Sequence, residues 1–156
     1  ANLPEGARRV LQAASVAGEG LSAARLARVA GLSELAAVDA LERAEAAGLL
    51  RDGRFTHDLL RQSVYAALSP GRRRHLHAGV AAESVPTADP LVTAEHWLLA
   101  GNPEGAARHF AGAAERYLAR GLPQEALAVL DRARPLELGE RARAALGLLE
   151  ADSLLS

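Results

Sequence analysis

The chain has 156 residues, 49% of them apolar, with a formal net charge of −1. This length fits one ordinary domain or two small ones, and the near-neutral charge gives no general reason to expect nucleic acid or an anionic membrane as a partner. No apolar stretch approaches the roughly 20 residues of a membrane span, and the absence of cysteine fits a cytoplasmic protein without disulfides.

Three helices are predicted in the first part of the chain from apolar residues at helical spacing. Serine N-caps and glycine stops set their limits. The bounds are Glu5 to Ala17 with a stop at Gly18, Ser22 to Gly31, and Ser33 to Gly48. On the third helix Leu35, Val38 and Leu41 share one side, which we expect to be its apolar face.

The hydrophobic period changes after the third helix. Residues 49–51 and 54–56 are typical of two short strands around Asp52-Gly53, a strong signal for a β-hairpin. Three short helices followed by a small hairpin form the winged-helix pattern, so we predict that architecture for the first part of the chain.

Two more helices are predicted beyond the hairpin. The first runs from about His57 to Leu68, and four aliphatic residues form its apolar face. These are Leu59, Leu60, Val64 and Leu68. Ser69 caps the second helix and Pro70 takes its first position. The stretch from residue 84 to residue 89, which contains Pro86, is a candidate boundary.

A weak internal repeat follows this loop. Residues 101–106 and 121–126 align at an offset of twenty, after which Phe110 matches Leu130. In each copy a glycine ends one helix, a proline opens the next, and alanines allow close helix approach. This pattern predicts antiparallel helical hairpins stacked as a solenoid. We interpret them as tetratricopeptide-like, although the offset is shorter than that family's period of about 34 residues.

The predicted fold class is therefore mainly α. A winged-helix domain with a small β-hairpin is expected over residues 1–69, and a tetratricopeptide-like helical region, the start of a longer solenoid, over residues 70–156. Because the chain lacks an initiator methionine and ends within an apolar helical pattern, we expect it to be a piece of a longer protein.

Several kinds of catalytic site are excluded by composition. All 18 basic residues are arginine, whereas a P-loop and a Schiff-base enzyme each need a lysine. The sequence holds no HExxH, GxSxG or Cys/His metal spacing, and Gly-Glu-Gly at 18–20 is a turn too short to cradle phosphate. His96 and His109 lie in apolar helices and are interpreted as packing histidines. We expect no catalytic residue, metal or cofactor in this chain.

A winged helix suggests DNA binding, so the charge of its third helix matters. That helix carries Glu34, Asp39, Glu42 and Glu45 against Arg43, for a net charge of −3. Affinity for DNA comes largely from neutralising phosphates, and base reading uses Arg, Asn or Gln. We therefore expect no direct DNA binding by this unit.

The densest positive charge in the chain is Arg72, Arg73 and Arg74. This run is either a solvated helix face or a set of arginines with a carboxylate or phosphate partner, since cations are slightly unfavourable near a helix N-terminus. His75 and His77 follow, and on a helix they point about 200° apart, so they do not share one metal ion.

One short motif places a histidine and an aspartate where the wing passes into the next helix. It reads Phe55-Thr56-His57-Asp58-Leu59-Leu60-Arg61. Helix N-termini attract anions, and a histidine there adds a hydrogen bond to a phosphate. Asp58 has the alternative role of capping the first turn. Spacing alone leaves the ligand role and the capping role both open.

This motif resembles the Met-His-Asp motif in the winged-helix domain of STAND-type signalling ATPases. The longer run Arg54 to His77, RFTHDLLRQSVYAALSPGRRRHLH, is most similar to the large bacterial ATP-dependent transcriptional regulators of the LuxR and antibiotic-regulator type. In those proteins a P-loop ATPase precedes the winged helix and tetratricopeptide-like helices follow it. Thr56 stands where the better-known motif has methionine.

The resemblance implies a nucleotide switch. In that family the motif histidine reaches the β-phosphate of bound ADP and latches the winged helix onto the nucleotide domain. Carried over, His57 is the ADP sensor and Asp58 orients its loop. ATP or ADP would then be held by an upstream ATPase domain of the same chain, and not by these 156 residues alone.

The leading hypothesis is a non-catalytic regulatory module of a multidomain signalling ATPase that controls transcription. Its helical repeats bind a protein or small-molecule inducer, and its candidate interaction residues are Arg61, Arg72, Arg73 and Arg74. Two alternatives stay open at this point. One is an autonomous winged-helix DNA-binding transcription factor, and the other is the same module joined to a nucleotide cyclase or another signalling output.

Overall fold

The computed structural model describes residues 3–18, 21–85 and 88–156. Over these residues the chain is mainly helical, with nine α-helices and one two-stranded antiparallel sheet, so the predicted class is confirmed. The helices are α1 Glu5–Ala17, α2 Ala23–Ala30, α3 Glu34–Ala46, α4 Asp58–Ala66, α5 Pro70–Ala82, α6 Pro90–Leu99, α7 Pro103–Ala119, α8 Pro123–Ala133 and α9 Glu140–Leu155; the strands are β1 Leu50–Arg51 and β2 Arg54–Phe55. No helix in these ranges is long and apolar enough to cross a membrane.

The chain divides into two compact units, Ala1–Glu83 and Ser84–Ser156. The first unit runs past the boundary at residues 69 and 70 expected from the sequence. It includes α5 because Leu76 and Val80 of that helix are buried in the core of this unit. The predicted turn at 18–20 and the predicted loop at 84–89 lie partly outside the described residues.

The second and third helices, α2 and α3, begin at their predicted serine caps. The Ser22 hydroxyl accepts a hydrogen bond from the Arg25 amide at 3.4 Å, and the Ser33 hydroxyl accepts one from the Ala36 amide at 3.2 Å. Each bond satisfies one of the free N–H groups of a helix start. Gly31 ends α2 in the left-handed conformation, with φ of 64°. These local predictions are confirmed.

The inward face of α3 differs from the prediction. Of the three aliphatic residues expected to share it, only Leu41 packs against the core, since Leu35 is 72% and Val38 is 37% exposed. The buried residues are Ala37, Ala40 and Ala44. The prediction was wrong because alanines form a second stripe at helical spacing, and α1 and α2 approach α3 on that side.

The β-hairpin has the predicted two-residue turn. Leu50 pairs with Phe55 and Arg51 with Arg54. Asp52 and Gly53 connect the strands with φ values of 52° and 74°, and two successive positive φ angles are the mark of a type I′ turn. Leu50 is buried and anchors the hairpin on the first unit.

The two helices after the hairpin differ in burial. None of the side chains of α4 is buried, and Leu59 is 75% exposed, so its predicted place on an inward face is wrong. Leu68 is buried as predicted. Ser69 caps α5 through the Arg72 amide at 3.2 Å, with Pro70 in the first turn, which confirms the predicted start.

In the second unit the glycines predicted to end helices and the prolines predicted to begin them are in those places. Gly101 and Gly121 follow α6 and α7 with φ values of 76° and 70°, and Pro103 and Pro123 open the next helices. The aligned positions of the two copies are buried in pairs: Ala106 with Ala126, Phe110 with Leu130, and Ala113 with Ala133. Successive helices pack together, and α9 contacts both α7 and α8. The tetratricopeptide-like character itself stays a prediction.

A glycine sets the distance between α6 and α7. A Cβ atom built on Gly105 lies 2.9 Å from Cγ and Cδ2 of Trp97 and 3.2 Å from Cγ of Asn102. The indole is rigid, and the Gly105 amide is already fixed by a hydrogen bond to Asn102 Oδ1 at 2.8 Å. A side chain at this position therefore forces the two helices apart.

We predict that Gly105→Ala lowers the free energy of unfolding by about 1–3 kcal/mol through overpacking, which exceeds the roughly 1 kcal/mol gained from helix propensity. Gly112→Ala is the matched control, because the same helix offers open space there. It should leave stability unchanged or raise it by up to about 1 kcal/mol. Urea denaturation followed by circular dichroism measures both, and equal effects would contradict the steric argument.

Candidate functional site

The candidate site is the junction between β2 and α4, and Thr56 fixes its first residue. The Thr56 amide donates to the Leu49 carbonyl at 3.1 Å, which extends the hairpin ladder by one bond. The Thr56 hydroxyl donates to the Gly48 carbonyl at 2.9 Å. Both bonds hold Thr56, the residue before His57, against the segment that leads into β1.

His57 occupies the N-cap position of α4, with extended backbone angles of −141° and 136°. Its carbonyl accepts the first helical bond, from the Leu60 amide at 3.0 Å. Its side chain is exposed, and the imidazole forms no hydrogen bond with the residues that the structure describes. The imidazole is therefore available to an external group.

Asp58 is the first residue of α4 and bonds to side chains of its own helix. Its carboxylate accepts hydrogen bonds from Arg61 Nε at 2.8 Å and from Gln62 Nε2 at 2.5 Å. The Arg61 guanidinium, together with the Gln62 amide, holds the pKa of the Asp58 carboxyl below its usual range. The predicted alternative, a cap on the backbone of the first turn, is not the arrangement observed.

Arg61 links this helix to the body of the first unit. Besides its ion pair with Asp58, its Nη1 lies 3.5 Å from the carbonyl oxygen of Ser15 in α1. Asp58 therefore orients Arg61, and Arg61 in turn reaches α1. Asp58 and Arg61 brace the start of α4, as Thr56 braces the end of the hairpin.

His57 faces an open groove of about 890 Å³ along the wing. The groove is also lined by Arg51, Arg54 and Phe55 and by two carboxylates, Asp52 in the turn and Glu45 on α3. Glu45 accepts a hydrogen bond from the Gly53 amide at 3.2 Å, so part of its charge is used by the turn. The two arginines and the two carboxylates balance, so the feature that distinguishes this groove is the exposed imidazole of His57.

The predicted arginine cluster lies outside this groove. Arg73 donates to the Ala66 carbonyl at 2.9 Å and stacks on the Tyr65 ring at 4.9 Å, so it is used within the molecule. Neither Arg72 nor Arg74 forms an ion pair with a residue in the described ranges. Arg72 lines a separate depression of about 460 Å³ with Arg9.

A buried contact between α4 and α5 has no counterpart among the sequence predictions. Tyr65 Oη and His77 Nε2 lie 2.9 Å apart, with the rings edge to face, and His77 is only 4% exposed. His75 is exposed, so the expectation that His75 and His77 point apart is confirmed. The structure places no group of metal-ligating side chains together in the described ranges.

The two remaining histidines lie in the second unit, where they were predicted to be packing residues. His109 Nδ1 lies 2.8 Å from the Gly105 carbonyl oxygen, one turn before it. Burial lowers the pKa of His96 below its ordinary value, and this favours the neutral imidazole. Both environments agree with the packing role.

No family model matches the chain, and neither a curated protein nor a solved structure matches it.

The depressed pKa of Asp58 gives a titration test. Because the folded pKa lies below the usual value, the bonds of this carboxylate persist above the ordinary pKa and are lost as the pH falls through the folded one. Arg61→Gln should move the Asp58 midpoint back up toward the usual range, as read from its carboxyl carbon by NMR. Arg43→Gln, an exposed arginine of α3, is the control; a midpoint that is unchanged in Arg61→Gln would contradict the assigned cause.

The bond between Tyr65 and His77 gives a stability test. Tyr65→Phe removes one partner of a buried ring nitrogen, so we expect the free energy of unfolding to fall by about 1–3 kcal/mol. In the second unit Tyr117→Phe is the comparison, since Tyr117 is also half-buried, and it should cost less than about 0.5 kcal/mol. Chemical denaturation of both variants measures the difference, and equal losses would show that the Tyr65 hydroxyl contributes nothing.

Proposed function

We propose that this chain is a non-catalytic regulatory module of a cytoplasmic STAND-type signalling ATPase that controls transcription. In this proposal the first unit latches a separate nucleotide domain, and His57 donates a hydrogen bond to the β-phosphate of the ADP held there. The observation that carries the proposal is the exposed imidazole of His57, which is free of hydrogen bonds to the described residues at a braced helix start.

The bracing supports a sensing role because a sensor must hold its reporting group in place. Thr56 ties one side of His57 to the hairpin, and the pair Asp58–Arg61 ties the other side toward α1. A histidine whose only task was packing would be buried or bonded. His57 is neither, while the backbone around it is fixed.

The surroundings of His57 fit a partner that carries phosphate and an apolar contact. Arg51 and Arg54 line the same groove together with Asp52 and Glu45, and the N-terminal end of α4 adds the partial positive charge of a helix start. Leu59, two residues along the chain, is 75% exposed. Docking of a domain on this side would bury that leucine, which supports a protein surface here rather than a free nucleotide alone.

The order of elements supports a winged-helix unit: three helices, a two-residue hairpin and a further helix. The helical hairpins of the second unit are proposed to bind a protein or small-molecule inducer, and Arg72 and Arg74 are proposed contacts for other parts of the longer protein. A ligand biases such a switch only by its difference in affinity for the two states.

The acidic surface of α3 favours this latch over a DNA reader. All five charged residues of that helix are exposed, and four of them are carboxylates. Fluorescence anisotropy with duplex DNA over a salt series should show no sequence-specific binding, whereas tight binding with a steep salt slope would support the autonomous DNA-binding alternative.

A first test of the latch uses this chain alone. Because the proposal assigns most phosphate contacts to another domain, calorimetry with ADP or ATP and Mg²⁺ should give no measurable binding, and a phosphate-release assay should give no turnover. Micromolar ATP binding together with turnover by residues 1–156 would contradict the proposal.

A second test uses the longer protein. We predict a Gly-x-x-x-x-Gly-Lys-Ser/Thr motif in the reading frame upstream. In that protein His57→Ala should weaken ADP binding by about 10- to 100-fold, the cost of one hydrogen bond to a charged group. His75→Ala, which removes another exposed histidine of the same unit, is the matched control. Equal ADP affinity in the two variants would contradict a role of His57 in binding ADP.

A further inference from the structure

The outward face of α3 combines aliphatic and acidic side chains. Val38 and Asp39 lie three and four residues after Leu35, and Glu42 lies four and three residues after them, which places all four on one side of a helix. All four are exposed, Leu35 by 72% and Val38 by 37%. We call these four residues the α3 face.

The large apolar residues of the α3 face point the opposite way from those of an ordinary surface helix. The buried residues of α3 are alanines, with Leu41 half-buried beside them, while the larger aliphatic residues Leu35 and Val38 are exposed. A helix of a globular protein normally directs its large apolar residues inward. The inversion leaves an apolar strip on a helix that is already anchored on its other side.

The α3 face also carries two carboxylates, Asp39 and Glu42. Several other surface carboxylates have an arginine partner, as in the pairs Asp58–Arg61, Glu83–Arg28 and Glu95–Arg132. Within the described ranges Asp39 and Glu42 form no ion pair. Their charge therefore lies unneutralised beside the two aliphatic residues.

We propose that the α3 face binds an amphipathic helix of a protein partner that carries arginine or lysine beside an apolar stripe. Apolar anchors at helical spacing supply the contact area in helix-to-helix recognition, and unpaired charges of one sign select a partner of the other sign. Nucleic acid and an anionic membrane have the wrong charge. The partner site uses no residue that lines the groove of His57 and does not depend on the latch.

The test uses a synthetic probe of defined chemistry. A fluorescein-labelled amphipathic helical peptide of leucine and lysine is titrated with this chain, and binding is read by fluorescence anisotropy. A peptide with glutamate in place of every lysine is the charge control. We expect the lysine peptide to bind, the glutamate peptide not to bind, and added salt to weaken the complex.

Two variants locate the binding on α3. Asp39→Asn combined with Glu42→Gln should weaken the lysine peptide by about 10-fold, and Leu35→Ala should weaken it by about 3- to 10-fold. Leu148→Ala is the matched control because Leu148 of α9 is also 72% exposed, and it should leave binding unchanged. Circular dichroism confirms that these surface variants fold.

Three results would overturn the proposal. They are a failure of the lysine peptide to bind, equal binding by the native chain and the α3 variants, and concentration-dependent self-association that the α3 variants abolish. The last result would mean that a second copy of the chain covers this face. None of these measurements involves a nucleotide, so failure here leaves the proposed role of His57 untouched.

Discussion

Close helix packing through alanine is the constraint on which both units depend. More than half of the buried apolar side chains in the described ranges are alanines. A methyl group lets neighbouring helices approach closely but removes little apolar area from water. Neighbouring helices must therefore fit closely, as α7 does where Gly105 meets Trp97 of α6. In the first unit, larger residues such as Leu35 and Leu59 lie on the surface while alanines fill much of the core.

None of the side chains of α4 is buried, although Val64 and Tyr65 pack in part against the core clusters of the first unit. Polar contacts add to this packing at both ends of the helix. Arg61 reaches the Ser15 carbonyl at one end, and at the other Arg73 reaches the Ala66 carbonyl while Tyr65 meets His77. Elements with few buried apolar side chains open at lower free energy than the core, so we expect α4 to open before the core helices of this unit.

The parts of the fold that were predictable from sequence are those set by local chemistry. Ser22, Ser33 and Asp52-Gly53 act through hydrogen bonds and φ angles within a few residues, so pattern alone identifies them. The inward side of α3 was not predictable in this way, since two stripes compete there and the neighbouring helices decide between them. The pair Tyr65–His77 joins two helices and leaves no short-range signal. At the site, position 57 was indicated by its motif, while the hydrogen bond that Gln62 donates to Asp58 depends on side-chain geometry.

The two candidate surfaces of the first unit differ in charge. The groove beside His57 has Arg51 and Arg54 along it, balanced by Glu45 and Asp52. The α3 face presents only carboxylates, Asp39 and Glu42, which form no ion pair within the described residues. We propose the first surface for a partner that bears phosphate and the second for a basic polypeptide. Since no residue of the α3 face lines the groove, binding at one surface does not have to displace a ligand at the other. Coupling between them would therefore require a change in the packing of α3 against the hairpin, where Glu45 accepts the bond from Gly53.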